Sequence, residues 1–142
     1  MAKAIEQLIN EERLFYQSLV KIGDEVHKKS GISMGMRGVL EFLDRNGNAT
    51  VPQMARARRV TRQRIQILVN SLFELGLAKS VENPASRRSP LIVITVKGTK
   101  TILSMRQLEA REMRFEADNK NIERATETLA QLRASLEKDH EK

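Results

Sequence analysis

The chain has 142 residues, 40% of them apolar and 30% charged, with a formal net charge of +7 and no cysteine. That length suits one domain, and the missing cysteines exclude disulfides, thiolate metal sites, a cysteine nucleophile and thiol-based redox sensing. No run approaches 18 apolar residues, and the first residues read as amphipathic helix rather than as a signal-peptide core, so a soluble cytoplasmic protein is expected.

The first predicted element is a helix from about Lys3 to Lys28, with Ile5, Leu8, Phe15, Leu19, Ile22 and Val26 on one stripe. Lys28-Lys29-Ser30-Gly31 suits its end, since lysines complement the helix dipole and glycine accepts a left-handed cap. Ser33 caps a second helix of about 34–45, with Met36, Val39, Leu40 and Leu43 inward. Asn46-Gly47-Asn48 ends it with turn chemistry. Thr50-Val51-Pro52-Gln53 then has the pattern of a capping box with proline in the first turn, opening a short helix to about Arg58. Thr61 caps the next helix, which buries Ile65, Leu68, Val69 and Leu72 and stops at Gly76. Two short helices joined this way, the second capped and basic at its start, form a helix-turn-helix signature. Residues 77–81 and 91–94 read as strands of a hairpin whose tip, Asn83 to Pro90, is basic. Thr95 caps a helix running to about Asn119, with Ile102, Met105, Leu108 and Phe115 on its apolar side. A last helix spans about Lys120 to Glu137.

Charge is segregated along this plan. Between Pro52 and Lys100 lie ten basic residues and only two acidic ones, Glu74 and Glu82, so this stretch carries +8 and the two ends together carry −1. Such a block is the footprint of polyanion binding. On the capped basic helix, Arg62, Gln63, Gln66 and Asn70 face away from the apolar residues, and Thr61 stands at its start. Arginine suits guanine and glutamine suits adenine in the major groove, where base edges are distinguishable. Arg64 reaches either a base or a phosphate. Arg56, Arg58 and Arg59 lead into the helix at positions suited to phosphate contact. Arg87 and Arg88 stand at the hairpin tip, and a narrow minor groove attracts inserted arginine.

The order of elements and three local motifs resemble the MarR family of bacterial transcription regulators. Leu72-Phe73-Glu74-Leu75-Gly76-Leu77 is similar to the family's exit from its recognition helix. Asn83-Pro84-Ala85-Ser86-Arg87-Arg88-Ser89 is similar to its wing, and Ile94-Thr95-Val96-Lys97-Gly98 to the segment after it. The motif-level likeness covers about Ser33 to Thr101. It implies a mainly α fold with a small β-hairpin: a winged helix-turn-helix at 33–98, framed by dimerisation helices at 1–32 and 99–142. In that family the second wing arginine enters the minor groove, a role that falls on Arg88. Ser86 stands where the family has a bracing aspartate and Asn83 replaces another acid, so a looser or more basic wing is expected.

Long terminal helices on so small a domain would leave apolar stripes exposed, and pairing two chains would cover them. Leu8, Leu129, Leu132 and Leu136 are the candidate interface residues, and the resemblance implies the same two-fold homodimer. The expected function is therefore a sequence-specific regulator on double-stranded DNA, a repressor of a palindromic operator, with room for a small-molecule effector. Tyr16 and Met36 are the ligand candidates. A winged helix serving as a protein-interaction or RNA adaptor is the alternative, which the basic helix and the scarcity of aromatic residues disfavour. His27 and His140 offer no catalytic or metal-ligand spacing, so no enzyme activity, metal, cofactor or membrane partner is expected.

Overall fold

The computed structural model describes residues 1–141. It contains six helices and one hairpin: α1 (Ala2–Val26), α2 (Met34–Asn46), α3 (Val51–Arg58), α4 (Arg62–Glu74), β1 (Ala78–Val81), β2 (Leu91–Ile94), α5 (Val96–Glu112) and α6 (Asn119–His140). A single 3₁₀ turn at Lys28–Ser30 separates α1 from α2.

The starts of the helices follow from local hydrogen bonding. Ser33 Oγ accepts from the Met36 amide at 3.2 Å, and Thr95 Oγ1 from the Gly98 amide at 3.0 Å. Thr50 and Gln53 form the reciprocal capping box, each side chain accepting the other's amide. Each such cap is worth about 1 kcal/mol because it satisfies a donor the helix cannot. Gly31 and Gly76 take left-handed conformations, φ 72° and 71°, where the chain leaves α1 and α4.

α2, α3, α4, the hairpin and the first half of α5 enclose one core. Val39, Leu40, Leu43, Met54, Ile65, Val69, Leu72, Ile92 and Ile102 are all buried within it. Burying each such side chain contributes roughly 1.5–3 kcal/mol, enough in sum to fix α4 against α2 and α3. The strands pair antiparallel in the register Ala78↔Ile94 to Val81↔Leu91, and Ala49 bridges to Ile92, tying the α2–α3 loop to the wing. At the wing's base Gly98 packs on the backbone. A Cβ there would lie 2.1 Å from the Leu77 carbonyl oxygen.

Two boundaries differ from the sequence expectation. α1 ends at Val26 rather than near Lys28, because the chain tightens into the 3₁₀ turn before Gly31. α5 ends at Glu112, not near Asn119. Asp118 caps α6 through the Asn121 amide at 2.8 Å, and Phe115 in the connection lies 6.3 Å from Phe15, centroid to centroid. Residues 113–118, which periodicity alone adds to α5, therefore form the connection between the two helices.

α6 buries none of its residues in the protomer, and α1 buries only Gly23. Ile5, Leu8, Phe15 and Ile22 of the first stripe are exposed, as are Leu129, Leu132 and Leu136. No helix among the described residues is long and apolar enough to cross a membrane.

Candidate nucleic-acid interface

α4 is set by Thr61, whose Oγ1 accepts from the Arg64 amide at 3.0 Å. Its inner face buries Ile65, Leu68, Val69 and Leu72, as the sequence predicts. That anchoring turns Arg62, Gln63, Arg64, Gln66 and Asn70 to solvent. Gln66 Nε2 donates to Asn70 Oδ1 at 2.8 Å, so the two amides sit together one turn apart. Ile67 also lies outward, 53% exposed, and the sequence reading did not name it as a site residue. The signal was present in its phase along the helix, but its apolar character pointed inward.

The wing stands beside this helix. Its loop is closed by Asn83, whose Nδ2 donates to the Ser89 carbonyl at 2.9 Å and whose Oδ1 accepts from the Ala85 amide at 3.1 Å. The Asn83 amide thus joins both ends of the turn through neutral hydrogen bonds, where the family has an acid. Arg87 and Arg88 remain exposed at the tip. Between helix and wing runs a groove of about 380 Å³ bordered by Arg62, Gln63, Gln66 and Arg88, with Phe73 and Pro90 in its walls. Residues 22 to 26 positions apart in sequence are thus brought to one surface.

The arginines divide into two sets. Among the described residues, no acidic side chain pairs with Arg56, Arg62, Arg64, Arg87 or Arg88. Arg58 and Arg59, by contrast, have intramolecular partners where phosphate contact was expected. Arg58 lies over Gly38, where there is no side chain to obstruct it, and donates from Nη1 to the Gly38 carbonyl at 2.9 Å. Arg59 takes a left-handed conformation, φ 58°, and pairs with Glu137 near the end of α6.

Behind this surface, α2 and α5 are joined by charge. Arg106 donates to Glu41 and Asp44 at 2.8 and 2.7 Å, and Arg45 also pairs with Glu41. Burial pushes the Glu41 carboxyl up, but its hydrogen bonds from Arg106 and Arg45, and the charges of Arg106 and Arg37, outweigh this and hold it below the ordinary carboxylate value. The hydrogen bonds to Glu41 and Asp44 in turn hold Arg106 more firmly protonated. Glu109 of α5 accepts from Arg37 of α2 and lies 2.7 Å from Nε2 of His27, which is 1% exposed. His27 is thus a structural residue at the junction of α1, α2 and α5.

The ligand candidates separate. Tyr16 is 63% exposed on α1, whereas Met36 is buried in the core. Neither lines the larger cleft, of about 960 Å³, which lies between the end of α1 and α5 and is bordered by Lys29, Lys97 and Lys100, by Glu25 and Glu112, and by the apolar Met105. Lys97 is partly engaged there, donating to the Leu75 carbonyl at 2.8 Å. Among the described residues, no group of His, Asp and Glu side chains is placed to hold a metal ion.

A short helix, a capped helix with a polar and basic outer face, and a basic hairpin beside it define the winged helix-turn-helix class. Residues 31–89 match the model of the MarR family, so the likeness read from the motifs holds over the middle of the chain. Uncharacterized proteins of Mycobacterium bovis and Mycobacterium tuberculosis are 47% identical over 53 residues. That match spans 37% of this chain and only 37% of the length of those relatives. Solved structures extend the likeness in fold to nearly the whole chain. AbfR bound to DNA has a TM-score of 0.80 at 15% identity, covering 96% of this chain and 94% of its own. BpsR of Bordetella bronchiseptica, whose DNA binding is regulated by 6-hydroxynicotinic acid, has a TM-score of 0.75 at 18% identity, covering 89% and 93%. The fold is therefore that of MarR-family transcription regulators.

Proposed function

We propose that the chain is a sequence-specific regulator of transcription that binds double-stranded DNA as a homodimer in the cytoplasm. The observation that carries this reading is the set of arginines without acidic partners on α4 and the wing, on either side of one groove. Arg62, Gln63, Gln66 and Asn70 enter the major groove, Arg64 serves a base or a phosphate, and Arg88 enters the adjacent minor groove with Arg87 on the backbone. Thr61 orients the start of the helix. Arg58 and Arg59 reach phosphates only by sharing or releasing their partners.

The exposed apolar stripes of α1 and α6, with Leu8, Leu129, Leu132 and Leu136, form the dimer frame in this reading. The frame comprises residues 1–32 and 99–142, and the reading head 33–98. Two-fold symmetry then implies half-sites of a palindromic operator about 34–36 Å apart or a multiple of that. Occupation of such an operator represses the promoter it overlaps. The cleft near Lys29 and Lys100 has the size and mixed lining for a small-molecule effector, and the regulation of BpsR by 6-hydroxynicotinic acid supports that reading. An effector that prefers the DNA-incompetent dimer shifts the population and frees the promoter.

The test is selection of bound duplexes from a random library, followed by titration of the selected site at several salt concentrations. A two-fold symmetric site is expected, with log K falling by roughly 0.9 per phosphate contact for each unit of log salt. Arg88→Ala should weaken binding strongly and leave the melting temperature unchanged. No enriched site, or a flat salt response, would overturn the proposal.

A further inference from the structure

We infer that Ile67 reads a thymine methyl group in the major groove. The inference rests on the DNA-binding reading above and specifies one of its contacts.

α4 buries Ile65, Leu68, Val69 and Leu72. At roughly 100° per residue, Ile67 lies within about 30° of the direction opposite that buried face. Gln63 precedes it by one turn and Asn70 follows it by nearly one, so it sits at the centre of the outward stripe. It is 53% exposed and has no apolar partner in the core. A lone exposed isoleucine on an ordinary surface means nothing. This one stands in the middle of the helix whose polar neighbours form the reading face, where an apolar side chain has a specific counterpart.

That counterpart is chemical. In the major groove thymine alone among the four bases presents a methyl group, and apolar side chains read it by contact. The surroundings of Ile67 supply the other half of an A·T reading. The hydrogen bond from Gln66 Nε2 to Asn70 Oδ1 leaves the Gln66 carbonyl oxygen and the Asn70 amide protons for a partner. An acceptor and a donor together match the N6 amino group and N7 of adenine. The amide pair and the isoleucine occupy adjacent positions on one helix face, so adenine and the thymine methyl lie within one base-pair step of each other.

The experiment uses the full chain and the duplex it selects from a random library. Each thymine in the site is replaced in turn by deoxyuridine, which removes the methyl and keeps every hydrogen-bonding group. Losing one methyl contact should weaken binding about fourfold at one thymine per half-site. Ile67→Ala, at an exposed position, should melt like the parent, bind the intact site about fourfold or more weakly, and no longer distinguish thymine from uracil at that position. Retained discrimination in Ile67→Ala overturns the inference, as does indifference of the parent to every replacement. In both cases the DNA-binding reading survives. Failure to select any duplex overturns both.

Discussion

Glu109→Ala tests whether the junction of α1, α2 and α5 is held by charge. Glu109, His27 and Arg37 have side chains 14%, 1% and 19% exposed, so all three are largely out of water. Removing the carboxylate leaves His27 Nε2 without a partner in a buried site, which costs about 1–3 kcal/mol. Arg37 loses two charge-assisted bonds but keeps some solvent and a Glu41 oxygen 3.8 Å away, so its share is smaller. The total should be about 2–4 kcal/mol, in the range of a broken buried pair. For a chain of this length that lowers the melting temperature by roughly 7–13 °C. Urea unfolding should show the same loss in midpoint with an unchanged slope. Glu109→Gln should fall between parent and alanine, since its carbonyl still accepts one bond while its amide protons face other donors. Arg45→Ala, 71% exposed, is the control and should cost less than about 1 kcal/mol. A loss below about 1 kcal/mol for Glu109→Ala would refute the reasoning.

Gly98→Ala places a Cβ against the Leu77 carbonyl and should destabilise by about 1–3 kcal/mol or more, read by urea midpoint. Glu41 predicts a pH dependence: its folded pKa is lowered, so its contribution is present above the ordinary value of 4.5 and is lost as pH falls through the folded one. Glu41→Gln should therefore be less stable than the parent at pH 7, and the difference should shrink in acid; a difference independent of pH would contradict this. Arg59→Gly relieves a left-handed conformation and removes an exposed ion pair, so the melting temperature should change by only a few degrees in either direction. In the proposed homodimer, Leu132→Asp should shift the chain toward monomer in sedimentation at micromolar concentration without unfolding residues 33–98.

How much of this was legible in the sequence depends on the range of the interaction. Ser33, Thr50, Thr61 and Thr95 all act as the expected caps, because a cap is decided within three residues. The inner face of α4 followed from spacing alone. The likeness to the MarR family came from ordered motifs between residues 72 and 98. The end of α5 was misplaced because Asp118 and the contact between Phe15 and Phe115 outweigh a continuing helical pattern. The engagement of Arg58 and Arg59 could not be read, since Gly38 and Glu137 lie 20 and 78 residues away. His27 could not be read as the buried partner of Glu109, 82 residues distant. Ile67 had the right phase but the wrong polarity for a pattern that sends apolar residues inward.

The pairing of Arg59 with Glu137 has a practical consequence. It puts the end of α6 beside the turn of the helix-turn-helix. At about 1.5 Å per residue, the last described position lies within roughly 6 Å along the axis from Glu137. Any group attached to the end of α6 would therefore emerge next to the turn between α3 and α4 and compete for the space that the proposed duplex needs.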